Sequence, residues 1–402
     1  MNEVGATTRL GSGPCCILFF SPPPPPFNFS FVQPIPLPPT TLISHITIYF
    51  VFTSLKMTGR KSSSPPGSSP PAAGGVESPD HVIEANEAEA EQSEDGYETT
   101  SNASTSLAPS VRDYNFENKR RYHKYKEGRY LLPNDDLEQE REDMKHALIL
   151  HLCDGELHNA PLKNPQKILD IGTGTGIWAM DMGDEYPEAE VTGIDLSPIQ
   201  PIFVPPNVHF VVDDAEADWT WDDNSLDYIH IRNMGPALKD WDRLLEQAYK
   251  VLKPGGWVEV QDIVFKFACD DGSTTPEYTP KKTMDYLAEA LEKFGVDVNI
   301  AEKLGEKVNA AGFVNTIHDM KKVPVGTWPK DPHMRQIGNY ARAVNYDSLG
   351  AVTNIPFTKG LGWTTLEVEV WLVQVRKDLM NNSFHTNHHY HSYSGQKPLE
   401  TK

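Results

Sequence analysis

The chain has 402 residues, 33 of them proline, and a formal charge of −20 from 56 acidic against 36 basic residues. Such an excess of acid is repelled by phosphate backbones and by anionic lipid, which argues against direct nucleic-acid binding and against a membrane role. Cys15, Cys16, Cys153 and Cys269 offer neither the density of a disulfide scaffold nor the C-x-x-C spacing of a zinc site, so no metal is expected. They fit a reducing intracellular compartment, cytoplasmic or nuclear.

Residues 1–110 read as a disordered Pro-rich and acidic region. Pro22 to Pro26 is a homopolymer, and Pro34, Pro36, Pro38 and Pro39 follow; each removes a backbone donor and fixes φ, which forbids both helix and ladder. The apolar run Leu42–Leu55 is shorter than the ~20 residues of a spanning helix. It lies too far from Met1, and lacks the cleavage site, for a secretory signal. Composition changes at Met57, so Met57 is expected to be the natural start and 1–56 a gene-model artefact. A Ser/Pro/Gly-rich stretch over 58–80 then leads into His81–Glu98, an acidic run without Lys or Arg. Too little apolar surface is available there to offset the entropy of ordering.

Roughly 290 residues remain, enough for one domain with a substantial core. An N-terminal lid and helix are expected over 111–166. Tyr114, Phe116, Tyr122, Tyr125 and Tyr130 are interleaved with basic residues, and in so acidic a chain this pattern reads as packing over the domain's own pocket. Leu137, Met144, Leu148 and Leu152 approach helical spacing, with Asn134, Asp135 or Asp136 as N-cap.

From 167 the chain alternates strand and helix. Lys167–Ile171, Val191–Asp195, Val208–Val212, Leu226–Ile231 and Trp257–Val264 read as strands. Ile177–Tyr186 and Trp241–Leu252 read as helices, the second ending in the tight turn Lys253-Pro-Gly-Gly. The pattern means a mostly parallel sheet covered on both faces. Pro198, Pro201, Pro205 and Pro206 make the crossover after the second strand a loop.

The turn after the first strand is Asp170-Ile-Gly172-Thr-Gly174-Thr-Gly176. Glycines there let backbone pass close to a ligand at a helix N-terminus. Asp195, closing the second strand, suits a carboxylate that accepts from two ribose hydroxyls. Together they indicate a nucleoside-containing cofactor. Gly174-x-Gly176-x-x-Ala179 also satisfies the degenerate dinucleotide pattern, so an NAD-dependent oxidoreductase is weighed against S-adenosylmethionine chemistry. Asp170 before the turn, and Asp213-Asp214-Ala215 after the third strand, favour the latter.

ILDIGTGTGIWA, VTGIDLS, VVDDAEADW, SLDYIHIRNM and LKPGGWVEV, in that order, resemble the class I, Rossmann-like S-adenosylmethionine-dependent methyltransferases. The flanks YHKYKEGRYLLPNDDLEQERED, GTWPKDPHMRQIGNY and HHYHSYSGQKP resemble the fungal LaeA-like members, which include regulators of secondary metabolism and metabolite-cluster enzymes. The resemblance implies a seven-stranded methyltransferase domain over 167–397 with a helical insertion, Asp331–Met380, before the last strand. It makes Thr365–Val375 helical, although its apolar/polar alternation by itself reads as strand. It also places Asp170, Gly172, Gly174 and Gly176 on the methionine and ribose side, Asp195 on the ribose, and Asp214 with Ala215 on the adenine.

No catalytic residue is assigned. His230, Arg232, Gln261 and Asp262 lie where loops meet substrate; His385, His388, His389 and His391 read as a solvent-facing strand. The acceptor is a small molecule or a protein. The second reading is a regulatory protein that keeps the pocket but works through partner binding.

Overall fold

The computed structural model describes residues 114–117, 120–123, 126 and 131–399. The N-terminal region 1–110, Met57, Tyr125 and Tyr130 lie outside them. In chain order the elements are β1 (Tyr114–Glu117), β2 (Arg120–His123), α1 (Asp136–Leu152), β3 (Lys167–Ile171), α2 (Ile177–Glu185), β4 (Glu190–Asp195) and β5 (Val208–Val212). There follow β6 (Leu226–Arg232), α3 (Trp241–Val251), β7 (Leu252–Ile263), the two-residue β8 (Ala268–Cys269), α4 (Thr279–Glu292) and α5 (Leu304–Ala310). The last elements are β9 (Val314–Val325), α6 (Pro332–Ile355), α7 (Thr365–Leu379) and β10 (Thr386–Gln396).

The main sheet runs β5-β4-β3-β6-β7-β10-β8, with β9 paired to β10. β5, β4, β3, β6 and β7 are parallel, and β10 runs antiparallel between β7 and β9. These are the seven expected strands; the two-residue β8 pairs with β10 on the same side as β7, opposite β9. Strand order reverses at β3, which lies between β4 and β6, so a crevice opens at the carboxyl ends of these strands. Ile168, Leu169 and Ile171 of β3 are buried, as expected of a strand covered on both faces. One face packs Trp178 and Met182 of α2; the other packs Leu244, Leu245 and Ala248 of α3. A further apolar cluster joins α1, α4, α6 and α7 to β9 and β10.

The proline-rich crossover from Asp195 to Val208 contains no helix, as expected. Two local expectations change. Lys253-Pro-Gly-Gly is not a turn ahead of the strand but a bulge within β7: Leu252 pairs with Leu226 and Trp257 already with Tyr228. Gly255, at φ +86°, permits this, and Lys397 fastens the bulge by hydrogen bonds with Gly255 N–H and Gly256 C=O. On α1, Leu137 is 65% exposed, whereas Glu138, Arg141 and His146 are buried. The helix therefore turns a charged stripe inward.

The insertion is helical. α7 buries Val368, Leu372, Val375 and Leu379, a 4-3-4 spacing hidden inside the apparent alternation. A capping box starts it: Thr364 Oγ1 accepts the Glu367 N–H, and the Glu367 carboxylate accepts the Thr364 N–H, a signature present in the sequence. α6 crosses β9 at very close range. A Cβ on Gly338 would stand 2.0 Å from the Gly326 carbonyl oxygen, and Gly326 N–H donates to Gly338 C=O at 2.9 Å. Gly338→Ala is expected to cost about 3 kcal/mol and to lower the melting temperature by about 6 °C or more. A calorimetric Tm equal to the parent's would refute this seating of α6.

Candidate functional site

The crevice at the switch point holds a cavity of about 970 Å3, counting the space open to solvent. Its floor is the glycine turn and the ends of β4 and β6; its sides are the segment after β5 and the charged face of α1. Of the sequence-expected residues, Gly172, Gly174, Asp195, Asp214 and Ala215 line it. Asp170 and Gly176 do not. Asp170 lies beneath the turn and borders a smaller recess of about 390 Å3 that shares Glu142, Gly172 and Gly174 with the main cavity.

The three glycines have different tasks. A Cβ on Gly172 would meet Met234 Sδ at 2.1 Å, and one on Gly176 would meet the Phe210 ring at 2.3 Å. One on Gly174 meets nothing within 4 Å. All three have positive φ, +70°, +56° and +82°, which glycine adopts without steric cost. Four backbone donors of the turn are engaged within the protein. Gly172 and Thr173 N–H donate to Ile194 C=O, Gly176 N–H to Thr173 C=O, and Gly174 N–H to Asp195 Oδ2 at 2.9 Å. At Gly174 the turn therefore offers space rather than a free amide.

Asp195 is half-buried, and its second oxygen accepts Ser197 N–H at 2.8 Å. Burial raises its pKa, against the opposing effect of these two N–H donors. Asp170 is almost fully buried; its oxygens meet Thr173 Oγ1 at 2.6 Å and His230 Nδ1 at 2.8 Å. Asp214 pairs with Lys126 Nζ at 2.9 Å and accepts Glu216 N–H at 3.0 Å. Ala215 C=O accepts the Trp219 indole N–H at 2.8 Å, which fixes the wall beside it.

Glu138, Gln139 and Glu142 of α1, with Asn134, Ser197 and Asn233, also line the cavity, and sequence reasoning did not pick them out. The charge-dense run Asp135–Glu142 with acids at 138 and 142 was the available signal, since i and i+4 share a helix face. Asp135 caps α1 by accepting Glu138 N–H and is held by Arg120. Burial opposes the charge on Glu142, but Lys145 and Arg141 beside it bring its pKa down to about 2. Thr175 Oγ1 donates to Asp143 at 2.6 Å, tying the glycine turn to α1. Arg232 donates to His146 Nδ1 at 2.8 Å, so Nε2 carries the proton that His146 gives to Asp181. That neutral tautomer agrees with a pKa lowered by burial.

The other candidates separate. His230 is a buried strand residue stacked on Trp178 at 3.6 Å, and burial lowers its pKa. Gln261 is buried and donates to Glu259 at 2.7 Å. The solvent-facing reading of the histidine-rich tail is corrected for His388: β10 is an interior strand, and His388 is buried with Nδ1 on Lys266 C=O at 2.8 Å. His385 faces Asp271, and His391 stacks on His318. Among the described residues, no three or more His, Cys, Asp or Glu side chains are arranged to hold a metal ion.

A methyltransferase-domain family model matches residues 141–317. Methyltransferase pytC of Aspergillus terreus is 43% identical over 301 residues, covering 74% of this chain and 93% of its own length. Secondary metabolism regulator LAE1 of Cochliobolus heterostrophus is 35% identical over 291 residues, covering 71% of this chain and 95% of its own. Among solved structures, phosphoethanolamine N-methyltransferase 2 of Haemonchus contortus with S-adenosyl-L-methionine is 20% identical at a TM-score of 0.37, covering 64% of this chain and 53% of that one. Strand order and family match define a Rossmann-like, S-adenosylmethionine-dependent methyltransferase. The chain belongs to the LaeA-like family that contains pytC and LAE1. The oxidoreductase reading is set aside.

Proposed function

We propose that the crevice cavity holds S-adenosylmethionine, and that the protein methylates an acceptor in fungal secondary metabolism. The observation carrying this reading is the cavity's charge. Among the described residues, Glu138, Glu142, Asp195, Asp213, Asp214 and Glu216 line it with Arg232. They still outnumber the bases when Lys126, Arg141 and Lys145, which pair with Asp214, Glu138 and Glu142, are counted. Such a surface favours a cationic sulfonium and opposes the anionic pyrophosphate of a dinucleotide. The space over Gly174 fits the same ligand. The cofactor supplies a methyl carbon bonded to positively charged sulfur. The chain supplies position: Asp195 accepts from the ribose hydroxyls, Asp214 and Ala215 flank the adenine, and Gly172 and Gly174 bound the ribose and methionine side. Asp170 acts from below, holding Thr173 and His230 in place.

Native mass spectrometry of the purified protein is expected to find co-purified S-adenosylmethionine or its demethylated product. In calorimetry, Asp195→Ala should weaken cofactor binding at least about tenfold, because a hydrogen bond to a charged group is worth ~1.5–3 kcal/mol. Undiminished affinity in that variant would remove Asp195 from the site.

A second reading follows from relatives named as regulators: the loaded pocket serves partner binding rather than turnover. Among the described residues no helix is long and apolar enough to cross a membrane.

A further inference from the structure

We propose that a second chamber, roofed by α6 and joined to the cofactor cavity, is the acceptor site. It takes a neutral, largely apolar small molecule with one acidic hydroxyl, whose proton passes to Asp262. This rests on the cofactor reading of the first cavity.

The chamber has a volume of about 790 Å3, counting the space open to solvent. Leu148, Phe265, Met284, Val323, Val344 and Val352 supply most of its apolar wall. They come from α1, the segment after β7, α4, β9 and α6, and His388 of β10 completes the surround. Walls from this many elements suit a free small molecule. A side chain presented on a protein backbone needs an open groove.

The two spaces meet at Glu142 and Asn233, which line both. Asn233 follows β6 in the left-handed region, φ +56°, with its N–H on Gln261 C=O at 2.9 Å. This bend carries Met234 to the cofactor side and Pro236 to the chamber side. Asp262 pins the same segment, accepting Gly235 N–H at 2.7 Å and its neighbour Ile263 N–H at 2.8 Å. Its carboxylate therefore stands at the partition between donor and acceptor.

Charge selects the ligand class. Among the described residues, the ionisable groups facing the chamber are Arg141, Glu142 and Lys145 of α1, Asp262 of β7 and His388 of β10. Arg141 and Lys145 both pair with Glu142, so they are not free to neutralise an anionic acceptor, and a carboxylate there would face Asp262. Burial pushes Asp262 up to about 6, with the Gly235 and Ile263 N–H donors, Lys145 and the Met234 N–H opposing, so at neutral pH it is ionised yet more basic than an ordinary carboxylate. Burial pushes His388 down to about 4, leaving it neutral. In the reaction a carbon–oxygen bond forms and the carbon–sulfur bond breaks, its electron pair leaving with sulfur. The hydroxyl proton goes to Asp262, which is a catalytic residue in this scheme.

The probe is 1-naphthol, titrated calorimetrically into full-length protein saturated with S-adenosylhomocysteine. It should bind, and Ser348→Trp, which fills the chamber from α6, should weaken it at least about tenfold with S-adenosylhomocysteine affinity unchanged. Val344→Phe narrows the same space one helical turn away, should Ser348→Trp fail to fold; Tyr346→Trp, outside the chamber, should behave as the parent. Naphthol affinity should also fall between about pH 7.5 and about pH 5 as Asp262 is protonated while the naphthol O–H stays intact, and Asp262→Asn should abolish this dependence. Normal S-adenosylhomocysteine binding without naphthol binding overturns the chamber alone, as does naphthol affinity indifferent to both filling variants. A pH dependence that persists in Asp262→Asn removes Asp262 as proton acceptor. Failure to bind S-adenosylhomocysteine overturns the cofactor reading and this proposal with it.

Discussion

Gly174→Val is expected to lose S-adenosylmethionine binding at least about a hundredfold while still melting cooperatively. Space around this residue separates the two effects. A Cβ on Gly174 touches nothing within 4 Å, so the side chain of valine starts in open space and projects into the cavity that Gly174 lines. The fold is taxed only by the backbone: φ of +56° costs a residue with a side chain ~1–2 kcal/mol. Gly176→Ala should do the opposite. Its methyl group would collide with Phe210 at 2.3 Å, so stability falls through packing between the turn and β5. Calorimetry and chemical denaturation on both variants test the contrast. A folded Gly174→Val protein with parental affinity would show that the cofactor does not pass over this turn.

Glu259→Leu is expected to destabilise the protein by about 4 kcal/mol or more, because several buried donors would lose their acceptor together. Glu259 is fully buried on β7. Its carboxylate accepts Asn159 N–H at 3.0 Å, Ala160 N–H at 2.9 Å, Tyr228 OH at 3.0 Å, Gln261 Nε2–H at 2.7 Å and Ser392 OH at 2.9 Å. These donors come from β6, β7, β10 and the segment after α1, so one side chain ties three neighbouring strands to the chain that enters the sheet. Such a loss approaches the ~5–15 kcal/mol total of a typical domain, and insoluble expression is a consistent outcome. Glu259→Gln, which keeps an oxygen acceptor, should lose less. Denaturation midpoints for the two variants decide the matter, and a Glu259→Leu protein within about 1 kcal/mol of the parent would sink the claim.

Periodicity and turn chemistry act over a few residues, and whatever depends on them was legible without coordinates. The five parallel strands, the glycine turn, the proline-rich crossover and Asp195 at the end of β4 were found within a residue or two of their places. The exception is β7, whose start was missed because a bulge looks like a turn until the partner strand is known. In α7 the alternation alone reads as strand for a related reason: Leu366, Val370 and Val373 are exposed apolar residues that complete a false alternation. The family resemblance makes the segment helical, as it is, and the Thr364–Glu367 capping box is a local signal for the same helix.

The chain's own sequence determined which segments form the five parallel strands and where the glycine turn and Asp195 fall between them, because each rests on contiguous residues. Tertiary structure alone decided the rest. Asp170 and Gly176 sit in the same motif as Gly174, yet one is turned beneath the turn and the other against Phe210. Glu138 and Glu142 face the cavity because Leu137, not they, points to solvent on α1. Asp262 and His388 lie more than a hundred residues apart in the chain and reach one chamber only because β10 returns antiparallel beside β7. Burial then pushes the carboxyl up and the imidazole down, since desolvation acts against whichever form is charged. That environment is a property of the packed molecule and has no counterpart in a local stretch of sequence.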